Sequence, residues 1–150
     1  MKKSTGKYAY SLKTERVKET DFPYHGETLS CTNEVLSFVK SLQDSDVEKF
    51  LVLYLDAQNC LICIQIMKGT VNSAVIYPRE VLRHALLANS SAIILVHNHP
   101  SGKPQPSDAD IRLTKTITDT GKTLDILVHD HLIIGGDTGK FYSFRENGLM

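Results

Sequence analysis

Net charge is the first thing this sequence lacks: 17 Lys and Arg stand against 17 Asp and Glu over 150 residues. A globally basic surface for nucleic acid is therefore excluded, although a local patch is not. Cysteine is scarce as well. Cys31, Cys60 and Cys63 are an odd number and too few for a disulfide framework, which predicts a reducing, cytoplasmic setting. No apolar run reaches the roughly 20 residues that a membrane-spanning helix needs, so no membrane partner is expected. The opening MKKSTGKYAYSLK is charged but has no apolar core of a secretory signal. Internal repeats and low-complexity tracts are also missing. What remains is ordinary for a soluble domain: 41% apolar and 23% charged residues, in a length that suits one core.

Residues 1–29 read as a basic arm carrying Lys2, Lys3, Lys7, Lys13, Arg16 and Lys18, partly offset by Glu15 and Glu19. The natural reading is a solvated tail or an added edge strand. A folded domain is expected over 30–150. Thr32 is the expected N-cap of a first helix, with Glu34 in its first turn and Val35, Phe38, Val39 and Leu42 at helical spacing. QDSD ends it. Residues 48–56 then read as a strand, AQN as a turn, and CLICIQIMKGT as the second arm of a hairpin. VNSAVIY suggests a third strand. Pro78 opens a helix with Val81, Leu82, Ala85 and Leu86 on one face. SAIILVH is almost wholly apolar, as befits a central strand covered on both sides. A third helix is expected over 107–120, with Gly121 as its C′ residue. TLDILVHDHLIIGG gives a further strand or bent pair, and KFYSFRENGLM a short strand and turn. The predicted fold is a single α/β (α+β) domain, a mixed β-sheet flanked by helices.

The chemistry concentrates in ILVHNHPSGKPQPSDAD, residues 94–110. Residues i and i+2 of a strand share a face, so His97 and His99 point to one place. Pro100, Gly102, Pro104 and Pro106 force an irregular loop that leaves that place accessible. Asp110 follows eleven residues after His99, in the first turn of the expected helix, within reach as a third donor. Two histidines and a carboxylate leaving one open position match catalytic zinc sites. The rival reading is local. Ser107-x-x-Asp110 is also a capping box, and taken alone it would be read as one. His129-Asp130-His131 repeats the H-x-H pattern without a downstream Pro/Gly loop and helix-borne acid, and reads as structural or peripheral. His25 and His84 stand alone and suit surface or core packing.

The full string H-x-H-x7-S-x-x-D, in the wording HNHPSGKPQPSDAD, resembles the JAMM signature of MPN+ metalloproteases, and within them the RadC-like branch. LYLDAQN, KGTVNSAVIYPREV and HALLANSSAIILVHNHPSG resemble that branch too. The resemblance covers the chain from about Cys31 onward and implies an MPN-type mixed sheet with flanking helices. It implies Zn²⁺ held by His97, His99 and Asp110, with Ser107 beside the attacking water and the tetrahedral oxyanion. It further implies a glutamate general base at the start of the first strand. Glu48 occupies that place, and Glu80, in PREV, is the rival; Gln65 is an amide and cannot act as a base. The implied activity is hydrolysis of a peptide, isopeptide or related amide bond in a protein or peptide substrate. The helix-hairpin-helix-type region common in RadC-like proteins has no counterpart in residues 1–29.

The alternative is a non-enzymatic, metal-stabilised binding module associated with DNA or DNA repair, supported by the basic arm but not by net charge. Cys60-x-x-Cys63 lies in an apolar strand without a second ligand pair and reads as two buried small hydrophobes. A zinc deaminase would need H-x-E followed by C-x-x-C; here His99 stands where the glutamate would, and the C-x-x-C comes first. The string HNH does not by itself make an HNH nuclease.

Overall fold

A computed structural model describes residues 27–42, 45–68, 76–136 and 139–150. Most of the basic arm and most of VNSAVIY lie outside the described residues, as does His25. The elements are α1 (Thr32–Phe38), β1 (Lys49–Leu55), β2 (Leu61–Lys68), α2 (Pro78–Leu87), β3 (Ala92–Asn98), α3 (Asp108–Thr123), β4 (Leu127–Gly135) and β5 (Lys140–Ser143). The strands form one five-stranded mixed sheet in the order β2-β1-β3-β4-β5. β1 runs antiparallel to β2 and β3, β3 parallel to β4, and β5 antiparallel to β4.

β3 is central, as its apolar run predicts, and every one of its residues is buried. Its alternate side chains feed two cores. Ala92, Ile94 and Val96 pack with Leu51, Leu53, Leu132 and Ile134, under Val35 of α1 and Val39 at its C-cap. Ile93 and Leu95 pack with Val52, Tyr54, Val81, Leu82, Ala85 and Ile117, under α2 and α3. Each fully buried Leu, Ile or Val contributes roughly 1.5–3 kcal/mol, so the two-sided strand is the best-anchored segment of the chain. His97 continues the α2/α3 face; Asn98 falls on the α1 face.

Three expectations need correction. The N-cap of α1 is Cys31, not Thr32. Glu34 reaches back one turn, its carboxylate accepting from Ser30 N at 2.7 Å and Cys31 N at 3.2 Å, which fixes the start one residue early. Helix α3 does not stop at Gly121 but runs on to Thr123. It ends in a Schellman motif: Ile126 N donates to Gly121 O, Asp125 N to Lys122 O, and Asp125 takes φ 55°. Gly121 is required for another reason, since a Cβ there would meet Ile126 O at 2.7 Å. Cys63, in the edge strand β2, is only half-buried, and so is Cys60, which precedes that strand. No helix among the described residues is long and apolar enough to cross a membrane.

Candidate metal centre

The crossover from β3 through α3 to β4 brings the carboxyl end of a central strand to a helix N-terminus, where open α/β sheets gather ligands. His97 lies near the end of β3 and His99 just beyond it. Their Nε2 atoms are 2.9 Å apart. Asp110 Oδ1 stands 3.4 Å from His97 Nε2, and Oδ2 3.8 Å from His99 Nε2. From Zn–N bonds of ~2.0–2.1 Å, tetrahedral donors should lie about 3.3 Å apart, and the observed separations straddle that spacing. Glu48, immediately before β1, offers a carboxylate oxygen within 4.8 Å of one donor nitrogen of each histidine. The five residues of interest therefore gather in one place, Ser107 included, through its bonds to Asp110.

Ser107 and Asp110 also form the capping box that their spacing allows. Ser107 Oγ accepts from Asp110 N at 3.2 Å, and Asp110 Oδ2 accepts from Ser107 N at 2.7 Å and from Ser107 Oγ at 2.6 Å. Capping and convergence on the histidines are thus one arrangement: the cap engages Oδ2, 3.8 Å from His99 Nε2, and leaves Oδ1 toward His97 Nε2 at 3.4 Å.

The hydrogen bonds behind the histidines decide what the centre can bind. Thr114 has one hydroxyl proton. Asp110 O, 2.6 Å away, can only accept, so that proton goes there. Thr114 Oγ1 must then accept from His131 Nδ1, also at 2.6 Å. Neutral His131 therefore presents a bare Nε2, which accepts from His97 Nδ1 at 2.8 Å. His97 Nε2 is left with a lone pair. His99 reaches the same state by another route, because its Nδ1 donates to Lys103 O at 2.7 Å. Two imidazole lone pairs and a carboxylate thus face one another. Burial pushes the pKa of His97 down to about 4 and that of His131 well below the ordinary value, so each ring is neutral at neutral pH, with its single proton on Nδ1. A divalent cation can satisfy both histidines and a carboxylate at once; Glu48 lies within reach of both for that role, and Asp110 faces them at 3.4 and 3.8 Å.

The surrounding packing keeps these rings in place. Phe50, the β1 partner of His97, stacks on it at 5.7 Å, and Phe144 stacks on His131 at 4.7 Å. The 99–106 loop presses against β4, where a Cβ on Gly135 would meet Gly102 O at 2.7 Å. The rival glutamate is differently engaged: Glu80 pairs with Arg83 at 2.6 Å and Arg79 at 3.8 Å on α2. His84 bonds Glu80 O at 2.7 Å. The H-x-H spacing marks His131, but only as structural or peripheral, and Thr114 and Asn98 stand out by no spacing. For His131 and Thr114 the missing signal is the β3–β4 register. For Asn98 a signal existed, an amide in an otherwise apolar central strand.

With that geometry in view, the comparisons are direct. A family model described as RadC-like JAB domain matches residues 29–149. The chain belongs to the RadC-like JAB domain family. It is 46% identical over 110 residues to a UPF0758 protein of Alteromonas mediterranea, covering 73% of this chain and 48% of that protein. It is 42% identical over 127 residues to one of Photobacterium profundum, covering 83% and 56%. It is 49% identical over 104 residues to one of Rhodobacter capsulatus, covering 69% and 48%. The chain spans about half the length of the curated relatives it matches. The RadC-like domain thus has the JAB architecture, with a histidine and carboxylate group that could hold a metal ion.

Proposed function

We propose that this RadC-like domain is a zinc-dependent hydrolase of the JAMM type, acting on a peptide, isopeptide or related amide bond. The observation that carries the reading is the pair of Nε2 lone pairs, 2.9 Å apart and facing Asp110. His97, His99 and Asp110 are the metal ligands, and Glu48 and Ser107 the catalytic residues. When bound, Zn²⁺ acidifies water and polarises the scissile carbonyl. Glu48 is exposed at the mouth of the centre, close to both histidines but outside the capping network. It takes the proton of the attacking water and returns it to the leaving amine. Ser107, an exposed residue whose hydroxyl donates to Asp110 Oδ2 at 2.6 Å, turns from that carboxylate to donate to the developing oxyanion. The substrate is a protein or peptide, with specificity carried by the loops around the site.

The test is hydrolysis of a quenched-fluorescent peptide set that includes isopeptide-linked members, run on zinc-loaded protein. Glu48→Gln should slow cleavage about 100- to 10,000-fold, to a measurable residual rate, while about one zinc per chain stays bound. Loss of zinc in Glu48→Gln would instead make Glu48 a ligand. Cleavage by Glu48→Gln at the wild-type rate would end the assignment of the base. A wild-type protein that binds zinc, cleaves nothing and binds DNA salt-dependently would be a metal-stabilised module instead.

A further inference from the structure

The segment that carries Glu48 is held locally only by an exposed turn, in which Ser45 Oγ donates to Val47 O at 2.9 Å and accepts from Val47 N at 3.4 Å. Asp46, Val47 and Glu48 are all exposed, so no buried side chain anchors residues 46–48. The β1–β3 ladder stops at Phe50 and His97, one step short of them. Beyond that rung the fully buried side chain of Asn98 takes over. Its Oδ1 accepts from Lys49 N at 2.8 Å, and its Nδ2 donates to Ser45 O and Val47 O, each at 3.2 Å. The amide does what the next peptide group of β3 would do, and grips the backbone on both sides of Glu48. It does so from the strand face opposite the two imidazoles, between His97 and His99.

We infer that Asn98 is a positioning residue for Glu48, fixing the glutamate segment at the edge of the metal centre; this rests on Glu48 acting as the base. The tripeptide His97-Asn98-His99 then has two outputs. One face supplies metal donors and the other sets the distance from those donors to the base. Both are referenced to the most deeply buried strand, so base and ligands move together. No aliphatic side chain substitutes for Asn98, because Lys49 N and Ser45 O lose their partner together, and Val47 O keeps only the Ser45 hydroxyl at 2.9 Å. Asp in its place keeps the acceptor for Lys49 N and turns both donors into a carboxylate facing two carbonyls.

The experiment uses the full chain as wild type, Asn98→Asp, Asn98→Ala, Glu48→Gln and the Asn98→Asp/Glu48→Gln double variant. Three readouts are taken. The first is zinc content, expected at about one per chain throughout. The second is the position of Glu48, read with cobalt(II) in place of zinc from the paramagnetic shifts of its side-chain signals, together with amide exchange at Lys49. In both Asn98 variants the Glu48 shifts should collapse while those of His99 persist, and in Asn98→Ala Lys49 exchange should rise about tenfold or more. The third is turnover: kcat should fall about 10- to 100-fold with little change in KM, and the double variant should be no slower than Glu48→Gln. Unchanged Glu48 shifts, or losses that multiply in the double variant, overturn the inference. If wild type cleaves no peptide, the hydrolase reading fails separately, and the Glu48 shifts and Lys49 exchange still decide whether Asn98 positions it.

Discussion

Two H-x-H tripeptides sit on neighbouring parallel strands, His97 to His99 at the end of β3 and His129 to His131 within β4. In the first, the i, i+2 rule holds and the imidazoles meet at 2.9 Å. In the second it fails. Ile93 pairs with Val128 and Ile94 with Asp130, so His129 is an extra residue in the β4 ladder. Such a bulge breaks the alternation of side chains. His129 goes to Asn59 Oδ1 at 2.8 Å, while His131 turns inward to His97 at 2.8 Å. The middle residues diverge as well. Asn98 grips the segment before β1, whereas buried Asp130 accepts from His131 N, Arg145 N and Ser143 Oγ and ties the C-terminal turn to β4. The lesson is that a pair of histidines becomes a chelate through where the strand ends and what stands behind it.

Four expected outcomes break or sharpen this contrast. The largest is loss of metal on the β3 side. His97→Ala should lower zinc affinity roughly a thousandfold or more by calorimetry, whereas His129→Ala should leave it unchanged. Next is acid sensitivity of the metal-free protein. Below pH 6.5 the unfolded chain takes up protons that buried His97, with its pKa near 4, refuses. Stability is therefore full above about pH 6.5 and lost as pH falls toward 4, by on the order of 3 kcal/mol from His97, with His131 adding to it. Urea midpoints across that window check it; a flat profile would mean that the rings are not held neutral by burial. Third, His131→Ala should weaken zinc binding about 10- to 100-fold without touching a ligand. His131→Gln, which restores an acceptor for His97 Nδ1, should recover part of the loss. Smallest, His129→Ala should cost less than about 1 kcal/mol of stability, the worth of one half-exposed hydrogen bond.

Much of this is legible in the chain itself. The apolar run through β3, the hairpin of β1 and β2, and Pro78 at the head of α2 follow from local patterning. So does the string that joins His97, His99, Ser107 and Asp110, because strand, loop and cap lie within one short segment. What was not legible depends on registers between distant segments. The role of His131 needs the parallel β3–β4 pairing, offset by a bulge that no composition signals. Gly121 looked like a helix stop because glycine is common there, but tertiary contact with Ile126 governs it. Cys60 and Cys63 looked buried because their expected strand is apolar, but β2 lies at the sheet edge, Cys60 precedes it, and both are half-buried. Glu48 and Glu80 could not be separated by local sequence, since each is an acid at the start of an element. In the fold Glu80 pairs with Arg83 on α2, whereas Glu48 lies beside His97 and His99.

The central claim is that His97, His99 and Asp110 hold one zinc ion. Metal analysis of purified wild-type protein beside the Asp110→Ala variant tests it most directly, with circular dichroism confirming that both are folded. The account predicts about one zinc per chain in wild type and little or none in Asp110→Ala. Equal zinc in two folded proteins would contradict it.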